Sequence, residues 1–156
     1  MDTSGAIPIE RLSGIVAHHV PGYLQRNRLP SLATNTNDDW ETKVDAVCEE
    51  TLPEKMSLIS GIPPWVQMYF EKLLEKSGKK SIQEIFPDFS LFIYGGVNYE
   101  PYRHTMENLI GKRIDSIELY PASEGFIAYQ DSQKEEGMLL LLNSGIFYEF
   151  ISTAEF

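Results

Sequence analysis

The chain has 156 residues, 42% of them hydrophobic and 12% aromatic, and carries 13 Lys and Arg against 23 Asp and Glu for a net charge of −10. That length supports one compact unit with a real core, and so acidic a balance, with its basic residues scattered, argues against binding a nucleic-acid backbone or an anionic membrane surface. The single cysteine, Cys48, rules out an internal disulfide and any multi-cysteine metal site, and reads as a small apolar residue on a helix face.

The first thirty residues hold Asp2, Pro8, Glu10 and Arg11 and no long apolar run, so neither a secretory signal nor a membrane span is expected and the chain reads as cytoplasmic. Residues 1 to 37, with Pro8, Pro21, Pro30 and a polar Asn/Thr run at 34 to 37, read as a loosely packed lead-in with one short helix over Ile9 to His19. From Asp38 the pattern tightens. Trp40, Val44, Val47, Cys48 and Leu52 recur at helical spacing, acidic residues fill the first turn, and Pro53 marks the stop.

Beyond it, short apolar runs alternate with helical stretches. A strand is expected over Met56 to Ser60, then a Gly61-Ile62-Pro63-Pro64 turn and a helix marked by Trp65, Met68, Tyr69, Leu73 and Leu74 that ends near Gly78. A second strand, Leu91 to Tyr94, runs into Gly95-Gly96, and a helix from about Pro101 to Ile110 ends at Gly111. A third strand, Ile114 to Tyr120, leads to Pro121-Ala122-Ser123-Glu124-Gly125. Connections of this length between strands imply a parallel core with right-handed crossovers. After Gly125, strand-like runs at Phe126 to Gln130, Met138 to Leu142 and Ile146 to Ile151 suggest an attached antiparallel meander. The expected fold class is α/β, divided into a lead-in with helices (1–53), a parallel core (54–125) and antiparallel strands (126–156).

In open parallel sheets ligands bind at the carboxyl ends of strands, where Gly95-Gly96 and Ser123-Glu124-Gly125 are expected to share one edge. Gly95-Gly96 fits neither common phosphate-loop pattern, and two glycines there serve either a tight turn or the close approach of a flat ligand. Ser123 lacks the flanking glycines of a nucleophile elbow, since Pro121 takes the first position. His18 and His19 are adjacent and diverge on a helix, so they do not chelate one metal together, and His104 reads as structural. Tyr120, Ser123 and Glu124 bring an aromatic face, a hydroxyl and a carboxylate to the end of one strand. An aromatic ring covers a purine, and a carboxylate holds Mg²⁺ beside phosphates.

The order of these segments resembles a known family. Ser60-Gly61-Ile62-Pro63-Pro64-Trp65, Tyr94-Gly95-Gly96-Val97 with Tyr99-Glu100-Pro101-Tyr102, Tyr120-Pro121-Ala122-Ser123-Glu124-Gly125 and Gly145-Ile146-Phe147-Tyr148-Glu149-Phe150-Ile151 are together similar to the auxin-responsive promoter family of acyl-acid amido synthetases, in its bacterial form. That family belongs to the adenylate-forming superfamily. Asp2-Thr3-Ser4-Gly5 and the helix around Asp39-Trp40-Glu41-Lys43-Val44 extend the resemblance over nearly the whole chain. It implies ATP-dependent activation of a small carboxylic acid as an acyl-adenylate, followed by acyl transfer to an amine or amino acid. By the same match Glu124 would hold Mg²⁺, Ser123 would contact the phosphate region, Tyr120 would lie against the adenine of ATP, and Ala122 would be a further cofactor-binding residue. Gly95-Gly96-Val97 would line the other side of the base, and Phe147 to Phe150 would form a supporting strand.

The family's Ser/Thr/Gly-rich phosphate loop and its ribose-binding aspartate have no match in this sequence. The resemblance therefore implies an internal piece of a longer enzyme, without turnover alone and with an exposed strand edge at 138–151 open to self-association. Two other readings stay open: a stand-alone module for nucleotide binding or protein interaction, and a serine hydrolase centred on Ser123.

Overall fold

A computed structural model describes residues 19–123, 125–135 and 137–155. The expected helix over Ile9 to His19 lies outside these residues except for His19, which sits in a turn. The lead-in forms two short helices absent from the sequence reading, α1 (Gly22–Gln25) and α2 (Leu32–Asn35). Helix α3 (Trp40–Thr51) follows, with Asp39 as its N-cap accepting from the Thr42 amide at 3.0 Å.

Strand β1 (Leu58–Ser60) is shorter than expected and leads into α4 (Pro63–Ser77), whose prolines open its first turn and which ends at Gly78. Its buried residues are Pro63, Val66, Tyr69, Phe70 and Leu73, whereas Trp65 and Met68 are exposed. A one-turn helix, α5 (Ile82–Ile85), is a further addition to the sequence reading. Then come β2 (Leu91–Gly95), α6 (Glu100–Ile110), β3 (Asp115–Ala122), β4 (Gly125–Tyr129) and the two-residue β5 (Leu139–Leu140).

The strands make one five-stranded mixed sheet in the order β1-β2-β3-β4-β5. The first three are parallel, with Leu58 opposite Leu91 and Leu91 opposite Asp115, and the last three are antiparallel. The expected α/β class, parallel core and antiparallel attachment are all present. The core joins Phe92 and Tyr94 of β2 to Phe70 and Leu73 of α4 and Met106 and Ile110 of α6, so both crossover helices cover one face. Phe70 meets Phe89 edge to face at 5.7 Å. Cys48 is fully buried on α3, as its helix-face reading requires. By alternation Leu91, Ile93, Ile117 and Leu119 point to the opposite face; they lie outside that core and are partly exposed.

One expectation fails. Ile146 to Ile151 is not a strand, and Phe147, Phe150 and Ile151 are exposed. A strand needs a neighbour for its amides and carbonyls, and among the described residues β5 pairs only with β4. The segment is held instead by Ile146, which packs over Gly125, and by the Tyr148 hydroxyl, which donates to the Leu141 carbonyl at 3.3 Å.

Candidate functional site

Gly95 ends β2 directly opposite Leu119 of β3. A Cβ at Gly95 would stand 2.4 Å from the Leu119 carbonyl oxygen, so the residue type is set by the approach of two backbones. Gly96 differs: its φ of +83° is the left-handed conformation that glycine adopts freely, and its Cβ position faces open space. Val97 is exposed beside it.

At the neighbouring strand end, β3 continues two residues beyond its expected stop. A register shift between Tyr120 and Pro121 lets the strand carry a proline that gives no amide to the ladder, and Ala122 then pairs with Gly125 to close a tight hairpin. Tyr120 is 53% exposed, Ala122 is half-buried and Ser123 is exposed. Because β2 and β3 are adjacent and parallel, Gly95-Gly96-Val97 and Tyr120-Ala122-Ser123 lie at the same end of the sheet. Glu124, the expected Mg²⁺ ligand, lies outside the described residues. Among the described residues no group of three His, Cys, Asp or Glu side chains suits a metal ion, and no hydrogen bond joins Ser123 to a histidine. His104 pairs with Asn108 on α6 at 3.2 Å.

Behind this edge is a polar arrangement that the motif reading missed. Ser116, Glu118 and Tyr120 alternate along β3 toward the helix-covered face, and Glu118 stands in register with Tyr94. The Tyr94 hydroxyl donates to Glu118 Oε2 at 3.5 Å, and burial, then the Glu118 charge, pushes that hydroxyl up to about 12. Gln130 fixes the strand here: its side-chain oxygen accepts from the Glu118 amide at 3.1 Å and its own amide donates to the Glu118 carbonyl at 2.8 Å. Gln133 donates to the Ser116 carbonyl at 2.6 Å.

From α6, Arg103 sits 4.7 Å over the Tyr99 ring and is gripped by Glu100 Oε1 through Nε at 2.9 Å and Nη2 at 2.6 Å. Tyr99 is itself buried against Phe92 and Tyr94 at 5.1 and 5.0 Å. Tyr94, Arg103, Ser116, Glu118, Gln130 and Gln133 line a depression of about 490 Å³ between α6 and the β4–β5 connection. None of the motif residues Gly95, Gly96, Val97, Tyr120, Ala122 or Ser123 lines it. A period-two reading of Asp115-Ser116-Ile117-Glu118-Leu119-Tyr120, in which polar and apolar residues alternate, carries the signal that locates it.

Comparison with protein families, with curated proteins and with solved structures finds no match. No helix among the described residues is long and apolar enough to cross a membrane. On the surface of α3 and α4, Trp40 and Trp65 pack at 5.2 Å with 36% and 52% of their surfaces exposed.

Proposed function

We propose that this chain is the adenine-facing part of a cytoplasmic, ATP-dependent acyl-acid amido synthetase. The observation that supports the reading is the meeting of Gly95-Gly96-Val97 with Tyr120-Ala122-Ser123 at the carboxyl ends of adjacent parallel strands, where open α/β sheets take nucleotides. The exposed ring of Tyr120 and the uncovered backbone at Gly96 suit the flat face of a base. The Ser123 hydroxyl would reach the phosphate region and Glu124 would hold Mg²⁺, whose charge neutralises the phosphates. In the reaction so proposed, a substrate carboxylate attacks the α-phosphorus and pyrophosphate leaves; an amine then attacks the acyl carbon and AMP leaves. Contact between copies through the outer edge of β5 belongs to the same reading.

Titration calorimetry of this chain with ATP tests it. MgATP is expected to bind, Glu124→Gln to remove the gain in affinity that Mg²⁺ gives, and pyrophosphate exchange to be absent with the chain alone. Absence of ATP binding overturns the nucleotide reading, and acid-dependent exchange by the chain alone overturns its lack of turnover.

The exposed Trp40–Trp65 pair favours a second reading, a module for protein interaction. Loss of a captured partner on Trp65→Ala, with MgATP affinity nil, would support that reading over the first.

A further inference from the structure

We infer that the Trp40–Trp65 pair docks a basic segment of a partner protein, which lays an arginine across the indoles and an aliphatic side chain against Met68. This rests on the interaction reading above, adds to it the chemistry of the partner, and does not depend on nucleotide binding.

Trp40 opens α3 and Trp65 stands in the first turn of α4, and their rings meet at 5.2 Å with planes tilted by 49°. Met68 follows Trp65 by about one turn and so lies on the same side of α4, where it is 42% exposed. Val66, Tyr69, Phe70 and Leu73 already fill the side of α4 that faces the core. The result is an apolar patch drawn from two helices, whose mutual placement is fixed by the buried bond between the Thr51 and Tyr69 hydroxyls at 2.6 Å. The residues that carry most interface binding energy are enriched in tryptophan, a rigid ring that offers much contact area at low conformational cost.

Charge selects the occupant. Asp38, Asp39 and Glu41 flank Trp40, and all three are exposed. Among the described residues none of them is paired with a lysine or arginine. The lysines of α3 and α4 are engaged elsewhere, Lys43 with the Asn35 carbonyl, Lys72 with Glu75 at 3.1 Å and Lys76 with Asp45 at 3.1 Å. Three carboxylates outweigh the roughly half positive charge contributed by the start of α3, so the potential over the indoles is negative. An arginine side chain is attracted both by that rim and by the faces of the rings. A second copy of this chain brings the same three carboxylates and a net charge of −10, and is repelled at this patch.

The sequence holds two tryptophans and both are in this pair, so tryptophan emission reports on this site alone. The probes are a short amphipathic peptide of leucine and arginine and its counterpart with glutamate for arginine, each added to the full chain. The arginine peptide is expected to shift the emission saturably, with an affinity that falls several-fold as salt rises, and the glutamate peptide to leave it unchanged. Trp65→Ala should weaken the arginine peptide about tenfold or more. Asp38→Asn combined with Glu41→Gln, two exposed changes, should weaken it about threefold or more and reduce its salt dependence. The comparison of the two peptides needs no variant to fold. An equal response to both peptides, or an unchanged affinity in the folded charge variant, overturns the basic partner while leaving the interaction reading standing. Binding of the arginine peptide by calorimetry without a change in emission places it elsewhere on this acidic chain and overturns the proposal in the same way. Emission that shifts with the concentration of the chain alone makes a second copy the occupant and overturns the basic segment. Failure of both peptides to move the emission overturns the proposal, and if acrylamide is also kept from the indoles in the chain alone, the interaction reading falls with it.

Discussion

Gly95 and Gly96 are neighbours of one residue type held by different forces, and substitution separates them. Alanine at 95 drives a methyl group into the Leu119 carbonyl, which the parallel ladder holds in place. Gly95→Ala should therefore cost about 1–3 kcal/mol, the usual range for overpacking. Gly96→Ala meets no atom and bears only the left-handed conformation, about 1 kcal/mol. Urea denaturation of both variants checks the order, and equal losses would show that the approach of β2 to β3 does not fix residue 95. Cys48 offers a second measurement at this scale. Burial pushes its thiol up to about 11, so near neutral pH it is protonated as well as covered. Native protein should resist a disulfide-exchange reagent and unfolded protein should react fully, which makes the labelling rate a report of opening. Rapid labelling without denaturant would contradict the packing of α3 on α4.

Among the elements, α2 is docked on α3 by the Glu50 carboxylate and by Lys43, whose Nζ donates to the Asn35 carbonyl at 2.5 Å. Glu50 accepts from the Thr34 hydroxyl at 2.5 Å, from the Ser31 amide at 2.6 Å and from the Ser31 hydroxyl at 2.7 Å. The Thr34 hydroxyl first, then the Ser31 amide, hold the Glu50 carboxyl below its ordinary value. A carboxylate depressed in the folded state contributes stability that is present above its unfolded value and is lost as pH falls through the folded one. Residues 31–36 should stay docked at neutral pH and loosen as pH falls below the ordinary carboxylate range, with Glu50→Gln loosening them at neutral pH. Amide exchange at Ser31 is the measurement, and unchanged protection in acid would refute it.

The same scale shows what the sequence makes legible. The helices α3, α4 and α6 follow from local signals, namely apolar spacing, the Asp39 cap, the prolines at 63 and 64, and the glycines that stop them at 78 and 111. The parallel core follows from the alternation of strands and helices. Ile146 to Ile151 has the same local look as a strand, but strand formation depends on a partner elsewhere in the chain, and local pattern does not supply one. Trp40 and Trp65 fit the helical spacing yet cover each other at the surface, because periodicity marks a face without saying what lies against it. The motif residues at the ends of β2 and β3 are visible as glycine-rich and polar junctions, whereas Glu118 is hidden inside a strand and becomes noticeable only when Ser116, Glu118 and Tyr120 are seen to share a face.

For the whole molecule, the distribution of apolar surface matters most. One face of the sheet is packed by α4 and α6, while Leu91, Ile93, Ile117 and Leu119 lie on the other and Leu139 is exposed beside the outer edge of β5. With a net charge of −10 opposing contact between copies, association should be weak in dilute buffer and strengthen as salt screens that repulsion. Sedimentation velocity across a concentration series is the check. A monomer at every concentration and ionic strength would remove self-association from the proposed function.

The strands stand in the sheet in the order in which they occur along the chain. Each new strand therefore adds to the side of a template already made from residues nearer the start, with α4 or α6 laid down before its own strand closes over the gap. No strand has to wait for a later one and then be inserted between two others. During synthesis the sheet can grow at the pace of the ribosome, with each strand joining the one made just before it, and the template exposes one growing edge at a time to its surroundings.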